Sequence, residues 1–306
     1  MLSARGAVIL SEPRGDQASL AKIADDIDEE DAFSPLRIAC ARGDVDTVRR
    51  LLDEGADANE AATGWYGKSP LQAASLEGHL LVVEALLDAG AYVDAPGGNN
   101  GGRTALALAA GAGHIRVVER LLASGADVMK PAHRYMGRTA LQAAAEGGTM
   151  TIVRRLHQAG ADINEPAAHT SGRTALQAAC QQSHQDIVDL LLMLGADVNA
   201  APSRAKGMTA LQAASANGNV QLVERLLAAG ADVNAPGSRR FGGNALFSAA
   251  EAGHVEAVHA LLKAGADTTI RSGSMLRTPK EAAKANGHVE VLQALHDAEL
   301  KHIAQG

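Results

Sequence analysis

Five histidines, His79, His114, His184, His254 and His288, are the residues best suited to metal or acid–base chemistry. Each follows a turn position held by Gly, or by Ser183 in one case, and successive members are about one or two 35-residue periods apart. If one period is one layer of packed helices, neighbouring members stand about 9 Å apart, the usual helix-packing distance. Two nitrogens on one Zn²⁺, each about 2.0–2.1 Å from the metal, lie within roughly 3–4 Å of one another. The row is therefore structural. His254 and His259 are spaced i, i+5 rather than the i, i+4 of a metalloprotease helix. Ser183 and His184 are adjacent but sit at a turn and a helix start, and no phosphate loop, nucleophile elbow or Cys-x-x-Cys occurs. Cys40 and Cys180 occupy the same slot four periods apart. At about 9 Å per layer that is some 36 Å, against the roughly 7 Å that a disulfide tolerates. These residue types predict no catalysis, no metal and no cofactor.

The elements that carry them repeat. A Ser/Thr/Asn position recurs at Ser34, Ser69, Thr104, Thr139, Thr174, Thr209, Asn244 and Thr278, at intervals of 35 residues six times and then 34. A fixed period of this size signals stacked units. In the third unit, Thr104-Ala105-Leu106-Ala107 reads as a capped helix start, the hydroxyl taking a first-turn N–H. Pro35, Pro70 and Pro279 fill the first helical position, where no N–H is needed. Glycines 43, 78, 113, 148, 218, 253 and 287 end the first helix in left-handed backbone. Ile115, Val118, Leu121 and Leu122 form the stripe of a second helix, which glycines 55, 90, 125, 160, 195, 230 and 265 terminate. Neither helix buries its stripe alone, so the core forms by stacking.

The pattern resembles the ankyrin repeat over residues 34–298, with its capped Leu-rich first helix, Gly-His turn, Leu-Leu pair and Gly-Ala-Asp-Val-Asn ending. The long Gly-Arg-Thr-Ala-Leu-Gln variant is similar to arrays of filamentous-fungal proteins. The resemblance implies an all-α solenoid of about eight helix-turn-helix units with projecting, hairpin-like finger loops. Gln72, Gln142, Gln177 and Gln212 replace the family's His in the first helix and are read as bridges to neighbouring backbone. The period exceeds the family's usual 33 residues, and the two extra residues fall in the fingers.

The organisation that follows is a disordered segment 1–15, an amphipathic capping helix over 16–33 (Leu20, Ile23, Ala24, Ile27), the repeat domain 34–298 and a tail 299–306. Acidic residues 25–31 form the solvated face of that cap, and Lys280, Lys284 and Lys301 mark the opposite end. Aromatics are 2% of the chain and hydrophobics 46%, which suits a thin Ala/Leu layer rather than a globular core. No apolar run reaches the ~18–20 residues of a membrane span, and Ala7–Leu10 is too short for a secretory signal. A cytoplasmic location is expected, with the nucleus as the alternative.

Charge is segregated. The finger tips 60–68, 95–103, 130–138, 165–173, 200–208, 235–243 and 270–277 carry twelve Lys and Arg against Glu60 and Glu165, a net +10 in a chain of net −7. Arg103, Arg138, Arg173 and Arg277 directly precede a cap and could pair with the finger-neck aspartates Asp127, Asp162, Asp197, Asp232 and Asp267. Lys130, Arg134, Arg204, Lys206, Arg239, Arg240 and Arg271 lie further out and vary between units, as a recognition surface does. Trp65, Tyr66, Tyr135 and Phe241 accompany them, the aromatic-plus-Arg composition of interface anchors.

The expected function is a protein-interaction module. The candidate contact residues are Trp65, Tyr66, Lys130, His133, Arg134, Tyr135, Arg204, Lys206, Arg239, Arg240 and Phe241 at the tips, together with the exposed first-helix ends Leu76, Glu77, Glu146, Gln181, Gln182, Phe247 and Glu251. Its partner is another protein with an acidic or phosphorylated contact surface. Nucleic acid fits poorly, because the net charge of −7 opposes a phosphate polymer. Two other readings stand beside it: a regulatory or targeting segment of a larger signalling protein, and a small-molecule or catalytic groove. The last would need a deep pocket at Trp65, Tyr66, His133 and Tyr135.

Overall fold

In the computed structural model, residues 34–62, 67–98, 102–238, 243–273 and 276–305 are described. Sixteen helices and no strand occur among them. The expected capping helix and the segment before it lie outside the described residues. No helix of the described residues is long and apolar enough to cross a membrane.

Each unit is one helix pair. The first three pairs are α1 (Pro35–Arg42) and α2 (Val45–Asp53), α3 (Pro70–Glu77) and α4 (Leu80–Asp88), and α5 (Ala105–Ala112) and α6 (Ile115–Ala123). Next come α7 (Ala140–Gly147) and α8 (Met150–Gln158), α9 (Ala175–Gln181) and α10 (Gln185–Met193), and α11 (Ala210–Ala216) and α12 (Val220–Ala228). The array closes with α13 (Ala245–Ala252) and α14 (Val255–Lys263), then α15 (Pro279–Ala285) and α16 (Val289–Gln305). The last helix therefore continues through residues 299–305.

The start of each unit follows from its cap. The Ser, Thr or Asn side chain accepts from the backbone N–H three residues on in all eight units. Two residues after the cap, Leu36, Leu71, Leu106, Leu141, Leu176, Leu211 and Leu246 are all fully buried. Each contributes about 1.5–3 kcal/mol relative to an exposed side chain. In the eighth unit this slot holds Lys280, whose Nζ meets Glu299 at 2.5 Å.

The His row holds neighbouring units together, and the Gln row ties each first helix to the finger that leads into the next unit. Gln72, Gln142, Gln177 and Gln212 accept from the N–H of their own cap through Oε1. Their Nε2 groups donate to the carbonyls of Ala95, Glu165, Ala200 and Ala235 in the following finger neck at 2.8–3.1 Å. The histidines point the other way. Nε2 of His79, His114, His184, His254 and His288 lies 3.0–3.1 Å from the carbonyls of Ala41, Leu76, Glu146, Ala216 and Glu251. A carbonyl only accepts, so each ring donates from Nε2. The imidazole covers the left-handed residue of the preceding unit: a Cβ added to Gly78 would stand 2.4 Å from Nδ1 of His114. In the fifth unit that left-handed residue is Ser183, at φ 61°. Both cysteines are buried and unpaired, and burial pushes each thiol up to about 12, with Glu60 adding to the shift at Cys40.

Candidate functional site

The fingers carry no β-ladder among the described residues; the isolated bridges are Tyr135 with Thr170, between two fingers, and Ser272 with Arg277, within one. What closes the third finger is a tight turn. Gly137 N–H donates to His133 O at 3.2 Å, and a Cβ on Gly137 would stand 2.3 Å from His133 N. The turn forces Met136 into left-handed backbone at φ 54°, and Ser171 and Leu276 one and four periods on repeat it at 55° and 49°. Met136 N–H donates to Thr170 O at 3.0 Å, tying this finger to the next.

The fingertip that results is apolar as well as basic. Tyr135 is 47% exposed, Met136 48% and Met129 46%. The Arg134 guanidinium lies 5.7 Å from the Tyr135 ring centroid, and the half-buried His133 ring lies 6.0 Å from the same centroid. Lys130, Arg134, Arg204 and Lys206 are exposed, and none has an ion pair among the described residues. Trp65, Tyr66, Arg239, Arg240 and Phe241 lie outside the described residues. Arg271, expected to be free, is paired: it donates to both carboxylate oxygens of Glu281 at 3.1 and 3.2 Å and to Leu276 O at 2.9 Å.

Arg103, Arg138 and Arg173 do not pair with the neck aspartates Asp127, Asp162, Asp197 and Asp232. Asp127, Asp162, Asp197 and Asp232 instead fold back onto their own chain, accepting from the backbone N–H two residues on at 2.8–2.9 Å. Arg103, Arg138 and Arg173 converge on one carboxylate, Glu146, at the end of α7. Arg138 Nε is 3.1 Å from Glu146 Oε2, Arg173 Nη1 is 3.6 Å from Oε1, and Arg103 Nη2 is 3.8 Å from Oε2. Arg138 is the centre of this cluster, with its side chain only 5% exposed. Its Nη1 donates to the carbonyls of Met136, Gly137 and Ser171 at 3.1–3.3 Å. Burial lowers the pKa of both Arg103 and Arg173; the Arg138 charge adds to this and Glu146 opposes it. One side chain thus links the fingertip at Met136 to the ends of the first helices.

Those ends form the concave side. Here a cavity of about 360 Å³ opens between units two and four, walled by Leu76, Leu108, Arg103 and Glu146 and floored by Gly111, Ala112, Ala143 and Gly147. It exists because the side chains are missing. Where unit two has Leu76-Glu77 and unit five Gln181-Gln182, unit three has Gly111-Ala112, and unit four has Gly147 beside Glu146. The backbones touch there, since a Cβ on Gly147 would stand 2.1 Å from Gly111 O. Glu77 and Gln182 are exposed and Leu76 and Gln181 half-buried, as a contact surface requires. Phe247 is not: it is 5% exposed, and its ring fills space against Gly243 and Gly273 at the base of the seventh finger. It occupies the slot of Gln72, Gln142, Gln177 and Gln212, which points inward. Of the pocket suggested at Trp65, Tyr66, His133 and Tyr135, the first two lie outside the described residues, and His133 and Tyr135 do not line this cavity. Among the described residues, no cluster of His, Cys, Asp or Glu could hold a metal ion.

Comparison with known proteins agrees with this geometry. The family described as ankyrin repeats (3 copies) matches residues 17–97, 36–132, 129–202 and 200–272. Among curated proteins, no sequence match is found. Of the solved structures, the human ASB11 ankyrin repeat domain superposes with a TM-score of 0.51 at 23% identity, over 87% of this chain and 97% of that one. That similarity shows the fold alone. With the family match spanning most of the sequence, the chain belongs to the ankyrin-repeat family, whose repeats are generally protein–protein interaction modules.

Proposed function

We propose that this chain is a scaffold that binds another protein through its fingers and the adjoining concave face, with units three to five at the centre. The single observation that carries the reading is the third fingertip. Tyr135 and Met136, adjacent at the tip, are each about half exposed, and Met136 is held in backbone that costs a non-glycine residue roughly 1–2 kcal/mol. An apolar side chain displayed at that cost, beside Arg134 stacked on Tyr135, has the make-up of an interface anchor. Exposed Lys130 in the same finger, and Arg204 and Lys206 two fingers on, favour an acidic contact surface on the partner. The scaffold supplies rigidity, which lowers the ordering cost of association. The cytoplasm is the compartment we assign to it.

The test compares proteins captured from native cells by the wild-type chain with those captured by Met136→Gly and Tyr135→Ala, quantified by mass spectrometry. Met136→Gly relieves the left-handed strain, so its thermal stability should hold or rise while capture of the specific partners falls. Equal capture by all three proteins refutes the reading.

A further inference from the structure

The cleft beneath the fingertip has a chemistry of its own. Three guanidiniums share one carboxylate, so the cluster holds two uncompensated positive charges. Arg138 is satisfied by Glu146 and three carbonyls. Arg103 and Arg173 are not, because 3.8 and 3.6 Å to Glu146 are ion-pair but not hydrogen-bond distances. Their side chains are 32% and 24% exposed, which keeps their N–H groups accessible while removing much of their water. Arg103 and Glu146 line the cavity, and Arg173 adjoins it through its ion pair with Glu146; beside them lie half-buried Leu76 and Leu108 and a floor stripped of side chains at Gly111 and Ala112. Gly111 sits inside a helix, where glycine is less favourable than alanine. Its presence there is explained by the space it leaves.

We infer that this cleft takes an acidic peptide segment of the partner, its carboxylate bridging Arg103 and Arg173 and a neighbouring Leu- or Met-sized side chain lying between Leu76 and Leu108 over Gly111. The inference rests on the partner-binding reading and names the chemistry of its concave half. Charge complementarity selects the occupant: a neutral apolar peptide leaves both guanidiniums without an acceptor, and a basic one is repelled. A cavity of about 360 Å³ suits a pair of side chains, at the lower end of the range for ligand sites of roughly 300–1,000 Å³.

Random dodecapeptides displayed on phage are selected against the full chain, and the enriched peptides are synthesised and titrated by fluorescence anisotropy. The enriched set should share an Asp or Glu close to Leu, Ile or Met. Arg103→Gln and Arg173→Gln should each weaken binding about 10- to 100-fold, the scale of one hydrogen bond to a charged group. Gly111→Leu should abolish binding and Gly111→Ala weaken it; a Cβ there stands 3.4 Å from Ala143 Cβ, and an unchanged unfolding midpoint of Gly111→Ala separates loss of space from loss of fold. Exchanging the peptide's acid for Asn or Gln should reproduce the Arg103→Gln loss on the wild type and add little to it on the variant. Absence of enrichment, a consensus without an acid, or affinities unchanged in both arginine variants overturns the inference. If Tyr135→Ala weakens binding and the cleft variants do not, the cleft assignment fails while the fingertip reading stands.

Discussion

Replacing Glu146 with Gln should destabilise the middle of the array by about 2–3 kcal/mol. Breaking a buried ion pair by removing one partner costs roughly 3–5 kcal/mol, and Arg138 is buried enough for that scale to apply. Two features lower it. Glu146 is 24% exposed, so solvent already screens part of the interaction. Arg138 also keeps its three carbonyl acceptors, and the Gln oxygen remains as a neutral one. One feature raises it: Arg103, Arg138 and Arg173 are left facing each other without a counter-charge. Urea titration followed by circular dichroism measures the loss, and hydrogen exchange locates it. Because units couple to nearest neighbours, lost protection should concentrate in units three to five. Adding Arg103→Gln to Glu146→Gln should recover stability, and higher salt should narrow the gap between Glu146→Gln and wild type. A loss under ~0.5 kcal/mol, the scale of an ordinary surface substitution, would refute the role given to this carboxylate, as would a loss that Arg103→Gln does not relieve.

Three further outcomes can be checked. Ser183→Gly should stabilise the protein by about 1 kcal/mol, because a left-handed serine becomes a glycine with no Cβ penalty; a lower unfolding midpoint would contradict this. Gly78→Ala should cost about 2 kcal/mol from backbone strain and the 2.4 Å clash with His114, and the cost should shrink when His114 is also Ala, a coupling read from a double-mutant cycle. Cys40 and Cys180, with thiols held near pKa 12, should resist alkylation at pH 8 in the native state, where only about one thiol in 10⁴ would be ionised. They should react fully in urea, and rapid native labelling of either would show that the core opens readily.

Much of the fold was legible because its determinants are periodic. The cap hydroxyls, the buried Leu, the Gln bridges and the His covers each recur at fixed offsets, and their partners recur with them. The site was less legible because it depends on what breaks the period. Glu146 looked like one more exposed helix end; only the stacking brings Arg103, Arg138 and Arg173 to it from three different fingers. The neck aspartates attracted those arginines on paper, but their carboxylates are consumed by backbone N–H groups two residues away. Phe247 could have been placed correctly, since it stands in the Gln slot and that slot faces inward. Met136 escaped notice altogether: nothing in a Tyr-Met-Gly sequence announces left-handed backbone, which arises from the turn that Gly137 closes.

The His covers act along the array like rivets between plates, and two joints lack theirs: unit six has Asn219 in the slot, where Asn217 Nδ2 donates to Gln181 O at 2.6 Å instead, and unit four has no such substitute. Position 149 in unit four holds Thr in place of His, and among the described residues Thr149 makes no bond to unit three. That joint relies on the contact of Gly111 with Gly147 and on the charges around Glu146. Stretched from its ends, the chain would therefore give way differently here from elsewhere: the joint under the cleft would yield with ionic strength, the riveted ones hardly at all. A protein that carries load between two attachments would then have its most salt-responsive link directly beneath its binding face.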